Sequence, residues 1–307
     1  MMEGKFLTRK VIITGLSGFV GSNLQKYMKD EYEMKSLSVR FILNQKFDFK
    51  REAIIHLAGK AHDLKNVDNS RDYYEANFEL TKQLFDAFLV SESKIFIFMS
   101  TVKAVADQVD EILTEKTIPN PKTHYGISKH MAEEYILSKE LPKSKRIYIL
   151  RPCMIHGPGN KGNLNLLYEM VAKGLPWPLG VFQNRRSFLS IENLCFVIKQ
   201  ILENEKIPSG IYQLADNKSI STNEVIKLLG TSLGKKTKIW NVKAIFIKKF
   251  ARIGDFLHLP LNSERLQKLT ESYIVSNEKI IKALGQPLPI TTEIGLIKTF
   301  QSFRSNK

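Results

Sequence analysis

An apolar run, Val11-Ile12-Ile13-Thr14, leads directly into GLSGFVGSNL, placing Gly15, Gly18 and Gly21 three residues apart ahead of a helical pattern. A buried strand that turns at once into a helix is the start of a βαβ unit. In such a turn the first glycine permits the tight reversal and the second lets backbone approach a pyrophosphate. The third lets helix pack on strand, and the helix N-terminus favours the anion. Gly15, Ser17, Gly18, Phe19, Val20 and Gly21 are therefore the expected phosphate-binding loop of a dinucleotide. The alternative, a glycine-rich turn without ligand, is weakened by the strand before it and the helix after it.

The first half continues the alternation. Strands are expected at Lys10–Thr14, Met34–Val39, Ala53–Leu57, Lys94–Ser100 and Arg146–Arg151, with helices at Gly21–Lys29, Asp72–Leu89 and His124–Ser138. Apolar runs separated by segments with apolar residues at three and four imply parallel strands covered on both faces. Arg40 to Glu52 leaves little room for a crossover helix, so an irregular connection is expected there. After Arg151 the pattern loosens through the turn-rich GPGNKGN and GLPWPLG, and Arg185–Leu202 then returns to strand followed by helix. The expected architecture is α/β, a doubly wound, Rossmann-type parallel sheet with a smaller mixed α/β substrate domain. Residues 1–157 plus about 187–214 would form the dinucleotide-binding part, and about 158–186 plus 215–307 the substrate part. A chain of 307 residues, 43% hydrophobic, has enough apolar material for both.

The carboxylate that binds an NAD ribose about 20 residues beyond the glycine turn is missing, because the second strand ends SLSVR. Arg40 stands there and favours NADP over NAD, unless it is simply a surface arginine pointing to water. Tyr125 and Lys129 are four apart, on one face of the expected helix. A tyrosine is a poor base at neutral pH, but a neighbouring ammonium favours phenolate, so the pair can exchange a proton with a carbinol. Thr101, after the strand ending at Ser100, would sit at the carboxyl edge of the sheet and could bond the reacting oxygen. A tyrosine and lysine four apart also arise by chance on solvated helices; the combination carries the argument.

The residues TGLSGFVG at Thr14–Gly21, HLAG at His56–Gly59, Ser100-Thr101, YGISK at Tyr125–Lys129 and RPCMIHGPG at Arg151–Gly159 come in an order and spacing that resemble the extended short-chain dehydrogenase/reductases, the nucleotide-sugar epimerase/dehydratase family. The resemblance spans nearly the whole chain. It implies Tyr125 as acid/base, Lys129 on the nicotinamide ribose, and Thr101 in place of the usual serine. It further implies that Leu57, Ala58, Gly59 and Ser100 line the cofactor, that Asn77 steadies the architecture, and that Lys60 and His62 face the sugar. Lys60 as a wet lysine and His62 as a loop histidine remain alternatives. Asn163, Arg186 and Ser187 match places that contact the nucleotide diphosphate, Arg265 is a further candidate, and an arginine fork suits phosphate. Each of these arginines could equally be an ordinary surface cation.

Such a triad serves an epimerase that retains its NAD and a ketoreductase that consumes NADPH. The expected activity is hydride transfer at C4 of a UDP-hexose or UDP-N-acetylhexosamine, of 4-epimerase type, for surface-polysaccharide precursors. The close alternative is an NADPH-dependent 4-ketoreductase of a UDP-4-keto-6-deoxy-N-acetylhexosamine. A 4,6-dehydratase fits less well, because Val102 and Lys103 replace the usual acidic pair. A silent cofactor-binding sensor or scaffold fits poorly with an intact Tyr125 and Lys129.

The net charge of +15 would suit nucleic acid, an anionic membrane or a polyphosphate substrate. Lysines spread along the chain argue against nucleic acid. Trp240–Leu259, with Lys243, Lys248, Lys249 and Arg252, reads as a membrane-surface helix or, preferred here, a core-packed helix with a wet basic face. With no run of about 20 apolar residues and no apolar signal core, the expected location is the cytoplasm. The expected partner is a small nucleotide sugar, and the resemblance allows a homodimer. Cys153 and Cys195 lack metal or disulfide spacing, and no metal is expected.

Overall fold

The apolar runs close into one parallel sheet in the computed structural model, which describes residues 9–61, 70–160, 162–257 and 262–304. In chain order the strands are β1 (Arg9–Thr14), β2 (Tyr32–Leu37), β3 (Ala53–His56), β4 (Ile95–Met99), β5 (Arg146–Pro152), β6 (Met154–His156), β7 (Phe188–Ser190) and β8 (Gly210–Leu214). Six of them form the sheet β2-β1-β3-β4-β5-β8, while β6 and β7 pair separately. All the neighbouring pairs are parallel.

Alternation along the strands shows why both faces need cover. Val11, Ile13, Ile55, Ile97, Met99 and Leu150 enter one apolar cluster with Leu24 and Met28 of α1 (Phe19–Met28). Ile12, Ile54, Phe96, Phe98 and Ile149 enter another, with Leu84, Phe85 and Phe88 from the opposite side. Strands apolar on both faces are the mark of a parallel sheet sandwiched between helices. The covering helix on that second side is α2 (Ser70–Tyr74) continued by a π-helical segment, Glu75–Glu79, and α3 (Leu80–Val90). Parallel to it runs α4 (His124–Ser138), capped by the Thr123 hydroxyl, which accepts from Gly126 N–H.

The link between β2 and β3 holds no helix or strand, as its length dictates, and is anchored by the buried Phe49. Beyond β5 come α5 (Asn163–Ala172) and α6 (Ile191–Glu203), the latter placing Leu194, Val197 and Ile198 in the first cluster beside α1. The remaining helices are α7 (Thr222–Leu233), α8 (Ala244–Phe256), α9 (Ser263–Thr270), α10 (Glu278–Leu284) and α11 (Thr292–Ser302). A third apolar cluster joins α5, α7, α8, α9 and α11 through Leu167, Leu229, Ile247, Leu266 and Phe300.

One expectation is corrected. α8 is not a core-packed helix wet only on a basic face: it buries Ile247, Ala251 and Gly254 while Ile245, Phe246, Phe250, Ile253 and Phe256 stand exposed. Its apolar residues form two stripes, and among the described residues only one of them is covered.

Candidate active site

β2 and β3 leave β1 on opposite sides, so the carboxyl ends of β1 and β3 flank the crevice in which doubly wound sheets bind ligands. Both expected loops begin there. Gly15 has φ +73°, and a Cβ on it would lie 2.8 Å from Ala58 N, so the turn after β1 lies directly against Leu57–Ala58 after β3. A Cβ on Gly21 would strike Gly15 O and sit 2.6 Å from Leu16 Cα. The turn is therefore closed down onto the start of α1, with the residues around Gly18 forming the exposed lip. Donors at a helix N-terminus and backbone without side chains fit a pyrophosphate.

His56, at the end of β3, secures this geometry from beneath. Ala58 N–H donates to Thr14 Oγ1 at 3.1 Å, and the Thr14 hydroxyl lies 2.7 Å from His56 Nδ1. Thr81 donates to Asn77 O, so His56 Nε2 carries the proton and donates to Thr81 Oγ1 at 3.0 Å. Burial, then the Lys129 charge, brings the imidazole down to about 3, which keeps it neutral.

The proton-exchanging residues converge beside this crevice. Thr101 follows β4 and caps the 3₁₀ turn Val102–Ala104 by accepting from Lys103 N–H. Gly126 of α4 packs against that turn so closely that a Cβ would collide with Lys103 O and lie 3.0 Å from Pro121 Cβ. The close approach brings Tyr125 to Thr101. Burial pushes the Tyr125 phenol up, a hydrogen bond with Thr101 pulls it partly back, and Tyr73 adds to the rise. One turn later Lys129 is buried, donating to Met99 O at 2.8 Å, with its ammonium 4.6 Å from the Phe98 ring centre. Burial brings it down to about 8, against the opposing charge of Glu133. The expected depression of Tyr125 by Lys129 is thus not what this arrangement gives, because the ammonium is turned to the Met99 carbonyl and the Phe98 ring.

The π-helical segment supplies the next wall. Asn77 is buried there, donating to Lys60 O and Ser128 Oγ and accepting from Lys60 N–H. A Cβ on Gly59 would meet Asn77 Oδ1 at 2.6 Å and Lys129 Nζ at 3.1 Å. The loop after β3 therefore joins the glycine turn to the Tyr125–Lys129 helix. Lys60 pairs with Asp72 at 2.9 Å and lies 5.0 Å over the ring of Tyr73, which in turn is 6.4 Å from that of Tyr125.

Ser100 departs from its expected orientation toward a cofactor: its hydroxyl donates to Glu133. Arg151 Nε reaches both Glu133 oxygens, at 2.9 and 3.1 Å, inside the protein. Burial alone would raise the Glu133 carboxyl, but His130 beside it, the hydrogen bonds from Arg151 and the Arg151 charge hold it below the usual carboxylate range. The network fastens α4 to the ends of β4 and β5.

Other expected residues are more scattered. Arg40 is exposed in the irregular stretch after β2. Asn163 opens α5, and Arg265 lies on α9, both exposed. His62 lies outside the described residues. Arg186 bridges to Ile220 and Tyr273, donates to Lys268 O, and lies 3.8 Å from Glu271 Oε1. Next to it, Ser187 Oγ accepts from Val275 N–H. Beside them Lys103, not singled out from sequence, holds its ammonium 4.4 Å over the Tyr273 ring and donates to Asp107 O. Burial lowers it while Asp107 and Glu271 oppose. A cation in the turn right after Thr101 joins Arg186 to the Tyr125 neighbourhood.

Comparison with known proteins identifies the family and the fold. The model of the NAD dependent epimerase/dehydratase family matches residues 11–215. The chain is 30% identical to the UDP-glucose 4-epimerase of Vibrio cholerae over 97% of its own length and 96% of that protein's. Its fold matches the structure of RMD from Pseudomonas aeruginosa complexed with NADPH, at TM-score 0.71 and 20% identity, covering 98% of this chain and 100% of that one. It likewise matches the Bordetella bronchiseptica enzyme WbmG in complex with NAD, at TM-score 0.73 and 15% identity, covering 99% and 96%.

Proposed function

The chain belongs to the NAD dependent epimerase/dehydratase family and is an NAD(P)-dependent enzyme of the nucleotide-sugar epimerase/reductase kind; from that premise we propose that it is a 4-epimerase of a UDP-hexose or UDP-N-acetylhexosamine, supplying surface-polysaccharide precursors in the cytoplasm. The observation that carries the reading is the junction of three elements at one sheet edge. Thr101 after β4 stands beside Tyr125, Lys129 lies one helical turn on, and Gly59 abuts Lys129 from the loop that supports the glycine turn. The full-length likeness to a UDP-glucose 4-epimerase supports the substrate class.

When bound, the nicotinamide supplies the hydride acceptor and donor. Gly15, Ser17, Gly18, Phe19, Val20 and Gly21 would hold the dinucleotide's pyrophosphate, with Leu57, Ala58 and Gly59 along its course. Everything else is done by the chain. Tyr125 takes the proton of the sugar C4 hydroxyl and later returns one, while Thr101 holds the same oxygen. Lys129, released from the Met99 carbonyl to a ribose hydroxyl, would place its charge near the phenol and lower it into the working range. Lys60 faces the sugar beside Tyr73. Asn163, Arg186 and Arg265, joined by Lys103, would hold the diphosphate, on the part of the chain formed by about 158–186 and 215–307.

A second reading has one observation in its favour. β2 ends at Leu37, and Ser38, Val39 and the exposed Arg40 follow without a carboxylate, which suits a ribose 2′-phosphate and hence an NADPH-dependent 4-ketoreductase. Denaturing freshly purified protein and identifying any released dinucleotide by mass separates the two. Retained NAD, with interconversion of UDP-glucose and UDP-galactose or of their N-acetylamino counterparts, is the expected result. An empty site that binds NADPH more tightly than NADH, with no interconversion, would replace the epimerase by the reductase.

A further inference from the structure

The second apolar stripe of α8 holds none of the residues to which the proposed chemistry gives a role. At 100° per residue, Ile247, Ala251 and Gly254 mark the buried side, toward α9. Adjacent to it, an arc of roughly 140° carries Phe250, Leu257, Phe246, Ile253, Phe256 and Ile245. Every one of these is at least half exposed, with Phe250 at 67% and Phe256 at 83%. Trp240, on the segment leading into the helix, is 54% exposed. Single exposed apolar residues are ordinary on a protein surface, but five on one helix, continued by Leu257 at its C-cap, make a contiguous patch that marks an interaction face.

The charges around the patch indicate what it meets. Lys243, Lys248, Lys249 and Arg252 are all exposed, and among the described residues none lies within 4 Å of a carboxylate in an ion pair. The one acidic residue of the helix, Asp255, is engaged by the backbone and hydroxyl of Ser263 at 2.8 and 2.5 Å. Lys249 falls within the apolar arc, where a long stem can lie along apolar surface with its head at the polar boundary. Lys248 and Arg252 line a shallow recess of about 310 Å³ with Phe182, Ser263, Leu266, Gln267 and Thr270, so two of the cations stand beside an apolar surface. A self-association face would oppose these cations to their own copies, and like charges there are repulsive.

We propose that α8 is a membrane-surface helix that seats the protein on an anionic phospholipid bilayer, with Phe246, Phe250, Ile253, Phe256 and Leu257 entering the acyl boundary and Lys243, Lys248, Lys249 and Arg252 meeting the headgroups. The helix is too short to cross a membrane and lies in the plane of the interface. Each cation near an anionic leaflet multiplies partitioning by roughly fivefold, so the binding falls with salt.

The test is co-sedimentation of the full chain with vesicles of phosphatidylcholine alone or mixed with phosphatidylglycerol. The wild-type protein should pellet with the mixed vesicles and stay in solution with the neutral ones. Phe250→Glu with Phe256→Glu should weaken that binding at least about tenfold, as should Lys248→Glu with Lys249→Glu. Melting temperature and turnover of soluble nucleotide sugar should be unchanged in both variants, which separates lost docking from lost folding. Absence of binding to the anionic vesicles overturns the proposal, as does undiminished binding of the phenylalanine variant. A wild-type dimer that this variant converts to monomer would assign the face to a second copy and overturn it too.

Discussion

Replacing Lys129 by methionine should make the protein more stable at neutral pH. The side chain is 4% exposed, and its burial brings the ammonium from 10.5 to about 8. An unfolded chain binds this proton up to pH 10.5, whereas the folded protein gives it up from about 8. The ionised form is thus penalised by folding, fully below pH 8, and the penalty fades as pH rises toward 10.5. The difference corresponds to about 3 kcal/mol at pH 7. Methionine has similar length and no charge, and it loses the bond to Met99 O, which costs about 1 kcal/mol. The net expectation is about 2 kcal/mol of stabilisation at pH 7, falling to about zero near pH 10. Urea unfolding of both proteins at pH 7 and pH 10 measures it, with dinucleotide removed beforehand. Lys129→Met that is less stable at pH 7, or whose advantage does not change with pH, would refute the reasoning. Turnover should disappear in the same variant, so the position would exchange stability for chemistry.

Three further outcomes follow from the same geometry. Tyr125→Phe should lower turnover by about 10³-fold while leaving dinucleotide affinity and melting temperature unchanged, read by a coupled assay and a titration. Glu133→Ala strands the buried Arg151 without its partner and should cost about 4 kcal/mol in urea unfolding at pH 7. Gly126→Ala places a methyl group against Lys103 O, so α4 must move off the turn that carries Thr101. Turnover should fall at least about tenfold, since small misplacement of reacting groups is costly, while the circular dichroism stays that of the wild type.

Where a pattern is local, the sequence reported it closely. His124–Ser138 emerges as a helix with those bounds because Thr123 caps it and no later residue breaks the period. The glycine turn was equally legible, since three glycines after an apolar strand have few other uses. What lay beyond reach depends on chain segments far apart. Nothing in EANFE marks a π-helical segment, because the slip in hydrogen bonding answers to Asn77, which must bond Lys60 and Ser128. The Glu133–Arg151 pair joins residues whose sequence neighbours give no hint of each other, although a carboxylate in the middle of a helix face that must be buried was a signal in principle. Gly126 was another, since glycine weakens a helix interior and needs a packing reason.

α8 shows the converse limit. Its period announced a helix, and Trp240–Leu259 could be read for a membrane surface or for a core. Choosing the core assumed that every apolar stripe finds an internal partner. The fold provides α9 and the third apolar cluster on one side of the helix, so Ile247, Ala251 and Gly254 are covered, while among the described residues the stripe from Phe246 to Leu257 is not. Hydrophobic period establishes that a face will be buried by something; only the arrangement of the neighbouring elements decides whether that something is the protein itself.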